Sequence, residues 1–243
     1  MTTYTVRRLT GLLLIVVPIA FTIFFTLLQI TFEYPAILGR PTADILTKFQ
    51  AGGAGLIAAW YGLTLTAVLF IPLVVLFRRV LDVRVPSATL SVATTFGVVA
   101  GLTQALGFLR WPFLAPHLAH VYLDPAASEA QRAAAALVFE AFHRYAGMAI
   151  GEHFGFLSTS VWTFLVALLM LRTAHFGPWL GASGMLLAVG IAAGLLAPLG
   201  WGLADTINAL SYLAWALWLV VVGVVLLRRA DPAVEVQGVA VAP

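Results

Sequence analysis

Apolar residues along this chain are gathered into runs, most of them flanked by one or two arginines. Leu9 to Phe32 carries no charge at all and follows Arg7 and Arg8. A second run extends from Gly55 to Phe77 and stops at Arg78 and Arg79. A third opens at Pro86 and Ser87 and ends at Arg110-Trp111. A fourth spans Phe154 to Leu171 and is closed by Arg172. A fifth covers Trp179 to Leu199, and a sixth runs from Ile207 to Leu227 before Arg228 and Arg229. Each is close to the roughly 20 residues that a helix needs to cross the hydrocarbon core of a bilayer. The pattern therefore predicts an all-α integral membrane bundle of six transmembrane helices.

The polar stretches between the runs predict the rest of the layout. Glu33 to Gln50 contains Pro35, Gly39, Arg40 and Pro41, which mark a loop with a short helix after Pro41. Gly52 and Gly53 lead into the second span, where Pro72 predicts a kink. Trp60, Tyr61, Trp111 and Tyr122 are expected as aromatic anchors at the membrane boundary. Pro116 predicts the start of an interfacial helix on the outer face. Residues 1–229 form one six-span domain on this reading, and 230–243 a disordered tail.

Basic residues orient the bundle. Six spans place Arg7, Arg8, Arg78, Arg79, Arg84, Arg172, Arg228 and Arg229 on one side, tight against span ends. Arg40, Lys48, Arg110, Arg132 and Arg144 fall on the other. The positive-inside rule then puts both termini in the cytoplasm.

Composition agrees. Hydrophobic residues make up 62% of the 243 and charged residues 9%, and mean hydropathy is +1.01. A soluble domain carries about a quarter charged residues. The net charge of +3 lies beside the spans, so it reads as a topology signal and not as a nucleic-acid surface. The partner it implies is the lipid bilayer. With no cysteine, disulfides, thiolate metal sites and cysteine nucleophiles are excluded. The single lysine, Lys48, lies in a loop, and no phosphate loop, nucleophile elbow or His-Glu-x-x-His helix occurs.

Candidate chemistry concentrates between Phe139 and Phe156. Glu140, His143, Arg144, Glu152 and His153 run directly into the fourth span, and Arg110 ends the third. Ionisable groups at hydrocarbon depth are costly and mark functional sites. These six residues are the candidate ligand-binding set, for a small molecule, a haem or a metal. Glu152 needs a partner or a proton there, with Arg110, Arg144 and His153 as candidates. Glu140 and Arg144 are spaced as a helical ion pair. Gly147, Gly151 and Gly155 repeat every four residues and form a smooth groove, which suits either a close-packed helix partner or a flat ligand such as haem. His117, His120 and Asp124 share one face of the interfacial helix at i, i+3 and i+7. That donor set is able to hold a divalent metal, and it equally describes the wet face of such a helix. The alternative class is a permease or a structural subunit in which the polar cluster only braces the fourth helix.

From Ala127 to Leu171 the chain has no proline. As one helix it would extend about 67 Å at roughly 1.5 Å per residue, against a slab of about 30 Å. Its first half is therefore expected to bend back against the bundle.

Phe32-Glu33-Tyr34-Pro35, Arg110-Trp111-Pro112 with Pro116, and His143-x-Tyr145-x-Gly147 followed by Gly151-Glu152-His153 occur together in this chain. In these motifs and in span layout it resembles a family of bacterial multi-span membrane proteins, domain-of-unknown-function family 4386, over roughly Arg8 to Leu227. The resemblance implies a bacterial inner (cytoplasmic) membrane. It carries no activity, cofactor or catalytic residue.

Overall fold

The computed structural model describes residues 3–81, 87–173 and 176–228. Arg84, Pro86, Arg229 and the tail 230–243, all named above, lie outside them. Among the described residues the chain is helical, with no strand. Helix α1 covers Thr3–Phe32, α2 Thr42–Leu81, α3 Ser87–Phe113, α4 Ala115–Leu123 and α5 Glu129–Phe142. A π-helical segment, His143–Phe154, joins α5 to α6, Gly155–Leu171. Helix α7, Pro178–Ala192, ends in a 3₁₀ turn at Ala193–Leu199, and α8 covers Ala204–Leu227. Six helical stretches are long and apolar enough to span a membrane.

The six pack as a closed ring. Helix α1 lies against α2, α2 against α3, α3 against α6, α6 against α7, α7 against α8, and α8 returns to α1. Large apolar side chains also point outward, among them Ile30, Leu186, Leu210 and Leu217. Surface of this kind suits hydrocarbon and not water. Two apolar cores fill the ring. One is built around Leu14, Phe77, Trp162, Met170 and Leu226. The other, at the opposite end of α1, gathers Leu28, Phe32, Phe49, Trp60, Trp111 and Phe139.

Several local expectations change. The short helix after Pro41 forms, but it belongs to α2, whose backbone leaves helical geometry at Gly53 (φ 54°, ψ −150°). Only glycine adopts that combination without strain. The third span runs past Arg110-Trp111 to Phe113, and α4 follows one residue later. The fourth begins well before Phe154, because helical pairing is continuous from Glu129 to Leu171. A capping box starts it: the Ser128 side chain accepts from the Gln131 N–H, and the Gln131 side-chain oxygen in turn accepts from the Ser128 N–H. The first half of this stretch does lie on the bundle, with Ala135 and Phe139 buried beside α2 and α4.

Several polar groups deep in the ring are paired. Gln104 donates to Thr159 across 3.2 Å, and the Trp215 indole N–H donates to Thr163 across 2.8 Å. Trp218 donates to the Leu180 carbonyl, and Asn208 to that of Ile191. This is the ordinary condition of buried polar groups.

Candidate functional site

The site forms where α1 ends, α2 begins and α3 meets the π segment. A strap from Glu33 to Gly53 crosses this end of the bundle, with left-handed backbone at both ends, Glu33 at φ 57° and Gly53 at φ 54°. Positive φ is uncommon in a glutamate. Its carboxylate is bound from both sides by Arg40 and Lys48. The Lys48 hydrogen bond, with the Arg40 charge beside it, holds that carboxyl below the usual carboxylate range even though partial burial opposes this. Ile37, Leu46 and Phe49 of the strap point inward and are fully or almost fully buried. The Thr42 hydroxyl ties the strap to α5 by donating to Glu140 across 3.0 Å.

Under the strap lies a layer of rings. Tyr34 meets Trp60 edge-on at 4.9 Å between centroids. Trp60 stacks on Trp111 at 4.7 Å and 12°, and Phe49 stacks on the same Trp111 at 5.7 Å. Phe139 of α5 closes the layer edge-on to Trp111 and stacks on His143 at 5.9 Å. Trp60 and Trp111 are both 0% exposed. They are core residues and not boundary anchors. Tyr61 and Phe113, 46% and 67% exposed, face outward beside them.

Arg110 enters this layer from α3 and is only 8% exposed. Its guanidinium lies 5.1 Å from the Trp111 ring centroid and donates to the Gly107 carbonyl one turn back. It rests against the bare Cα of Gly147, where a Cβ would come within 2.6 Å of the guanidinium carbon. The glycine stripe continues along the same helix. Gly151 faces Gly107 backbone to backbone, and Gly155 faces Thr103 and Gln104. Helix α3 of the same chain thus fills the groove, which leaves no room there for a haem ring. No second chain is needed to cover it.

The π segment decides which residues reach this layer. Pairing from i to i+5 widens the turn to roughly 4.4 residues, so nine residues make about two turns. His143 and Glu152, nine apart, then share a face; on an α-helix they would point to opposite sides. Both lie within electrostatic range of Arg110. Glu152 also senses Tyr34 and Asp205. Burial, with the Glu152 carboxylate adding to it, pushes the Tyr34 phenol well above its ordinary range, and Arg110 opposes the shift. Among the described residues Glu152 makes no hydrogen bond or ion pair, so it is not salt-bridged to Arg110, Arg144 or His153.

Of the six sequence candidates, Arg110, His143 and Glu152 come together. Glu140 stands at the rim and bonds Thr42, not Arg144 as its spacing predicts. Arg144 and His153 are exposed. His117 and His120 lie exposed on α4, while the Asp124 carboxylate accepts from the Ala126 N–H. Among the described residues no group of three His, Asp or Glu side chains is placed to hold a metal ion. Sequence reasoning missed Tyr34 and took Trp60 and Trp111 for surface anchors. The Phe32-to-Pro35 motif was the only signal pointing at Tyr34.

One further feature sets the layer apart. Among the described residues five buried side-chain polar atoms lack a hydrogen-bond partner: Trp60 Nε1, Arg110 Nε, Trp111 Nε1, His143 Nδ1 and Ser158 Oγ. Four of the five belong to this one layer, whereas the indoles of Trp215 and Trp218 are paired.

Fold and site together define a polytopic α-helical membrane protein with a largely buried polar layer at one end of its ring. The chain belongs to the family described as Domain of unknown function (DUF4386), whose model matches residues 9–223. No curated protein and no solved structure matches it.

Proposed function

We propose that this is a ligand-binding protein of the bacterial cytoplasmic membrane, with both termini inside. Its Tyr34–Trp60–Arg110–Trp111–His143–Glu152 layer holds a small molecule on the outer side. The observation that carries this reading is the concentration of unpaired polar atoms around Arg110. Leaving one buried donor unsatisfied costs about 1–3 kcal/mol, so four in one layer form an expensive arrangement for a structural core. A bound molecule that pairs with them removes that cost. The strap would then serve as the cover of the site.

A second reading has its own support. Arg110 packs on Gly147, bonds Gly107 and lies over Trp111, as a residue bracing the α3 crossing would. Glu152→Gln and Arg110→Gln separate the two. For a ligand site, methanol extraction of the purified wild type yields a stoichiometric small molecule by mass spectrometry. Both variants lose it while Glu152→Gln keeps the wild-type melting temperature. For a brace, nothing specific is extracted and both variants melt early. That second outcome would refute the ligand reading.

A further inference from the structure

A second candidate site lies away from the aromatic layer, midway along the helices. A cleft of about 470 Å³, its mouth included, is lined by residues of α1, α2, α3 and α8. Val17, Phe70, Trp215 and Leu219, all buried in the core around Trp162, form part of its wall. Helices α1 and α8 are drawn together at one end, where Gly11 and Gly223 meet backbone to backbone. Further along the same pair, Phe21, Tyr212 and Ala216 are only half-buried, so the cleft opens on the α1–α8 side. Gln104 reaches it from α3, across the ring, and is half-buried too. The cleft is separate from the Arg110 layer, and nothing below depends on that layer binding a ligand.

We infer that this cleft binds an uncharged, membrane-dissolved molecule carrying one hydroxyl on an apolar body. The polar groups of the lining decide the class. No charged residue lines the cleft, and a charged ligand at hydrocarbon depth would go uncompensated. The Thr66 hydroxyl is already spent on the Leu63 carbonyl at 2.6 Å, and the Trp215 N–H on Thr163. Gln104 is not spent. Its amide N–H₂ donates to Thr159 across 3.2 Å, and its carboxamide oxygen has no partner among the described residues. Water is scarce at this depth and a lipid tail offers no donor, so that acceptor is costly to leave open. A hydroxyl donates to it, and hydroxyls also accept, which suits the Tyr212 phenol in the same wall. Sites of this kind, mostly apolar with one or two placed polar groups, are common between the helices of bundles.

The test uses purified full-length protein in phosphatidylcholine nanodiscs at neutral pH, with 4-bromophenol, 4-bromotoluene and 4-bromobenzoate as probes. The first two differ only in hydroxyl against methyl, and bromine quenches an indole it touches, here Trp215 in the cleft wall. Quenching is plotted against the mole fraction of probe in the bilayer, so that unequal partitioning cancels. The phenol should quench saturably, at a mole fraction about fivefold or more below that of the toluene, the worth of about one ordinary hydrogen bond. The benzoate should not saturate. Gln104→Met should make phenol and toluene equal. Ala216→Phe, which fills the mouth and leaves Gln104 in place, should abolish the saturable quenching, so the test stands even if one variant fails to fold. Equal saturation by phenol and toluene in the wild type overturns the hydroxyl class and makes the cleft a seat for hydrocarbon. Linear quenching by all three probes shows that lipid tails fill it and overturns the site altogether. Saturation by the benzoate, a phenol preference that survives Gln104→Met, or saturable quenching that survives Ala216→Phe overturns the inference as well.

Discussion

Replacing Gly107 with alanine tests how the site is held, because its neighbour cannot yield. A Cβ there would stand 2.8 Å from the Cα of Gly151 and 3.3 Å from the Ala146 carbonyl. Both are backbone atoms, so relief requires α3 to move off the π segment. Overpacking of this kind costs about 1–3 kcal/mol. Up to about 1 kcal/mol is returned, since alanine is the better residue in a helix interior. Gly155→Ala provides the control on the same stripe, because its Cβ meets Gln104 and Thr103 at 3.6 Å, ordinary contact distance. Gly107→Ala should therefore lower stability by about 1–2 kcal/mol, while Gly155→Ala should leave it unchanged or raise it slightly. Thermal unfolding in one detergent, followed by intrinsic fluorescence, reads the difference. Displacing α3 also shifts Arg110, so the fluorescence of Trp111 should change in the first variant and not in the second. Equal melting of the two variants would show that no tight crossing exists at Gly107–Gly151.

Gly53→Ala should cost about 1–3 kcal/mol although its Cβ would touch nothing, since φ 54°, ψ −150° is a glycine conformation; Gly55→Ala, equally open but helical, should melt like wild type. The Glu33 carboxyl sits below the ordinary 4.5 when folded. Its contribution is thus complete above 4.5 and is lost as pH falls through the lower folded value. Melting curves of Glu33→Gln and wild type should accordingly converge in acid and separate above it; parallel curves throughout would remove the strap latch. For topology, a reporter fused after Arg229 should be active only in the cytoplasm and one inserted at Ser128 only outside. Activity of both on one side would exclude the six-span arrangement.

What the sequence determined by itself is the membrane architecture. Apolar runs of spanning length and arginines at their ends follow from desolvation, a property of composition over about 20 residues that needs no partner to be read. The same logic located Arg110, His143 and Glu152, since a charge beside hydrocarbon stands out in any register. Tertiary structure alone decided which of the charged residues meet. The π pairing turned His143 and Glu152 to one face, and an α-helical count from the sequence sets them apart. Trp60 and Trp111 look like boundary anchors in the sequence, because an indole at a span end is amphipathic in either place. Only the strap folding over them, held by Glu33 and by glycine backbone at Gly53, makes them a buried layer. Glu140 likewise had a good partner four residues away and took Thr42 instead, because the strap brings that hydroxyl across 98 positions of chain. Local spacing can express a helical neighbour, but not a contact created when distant segments close over one end of the bundle.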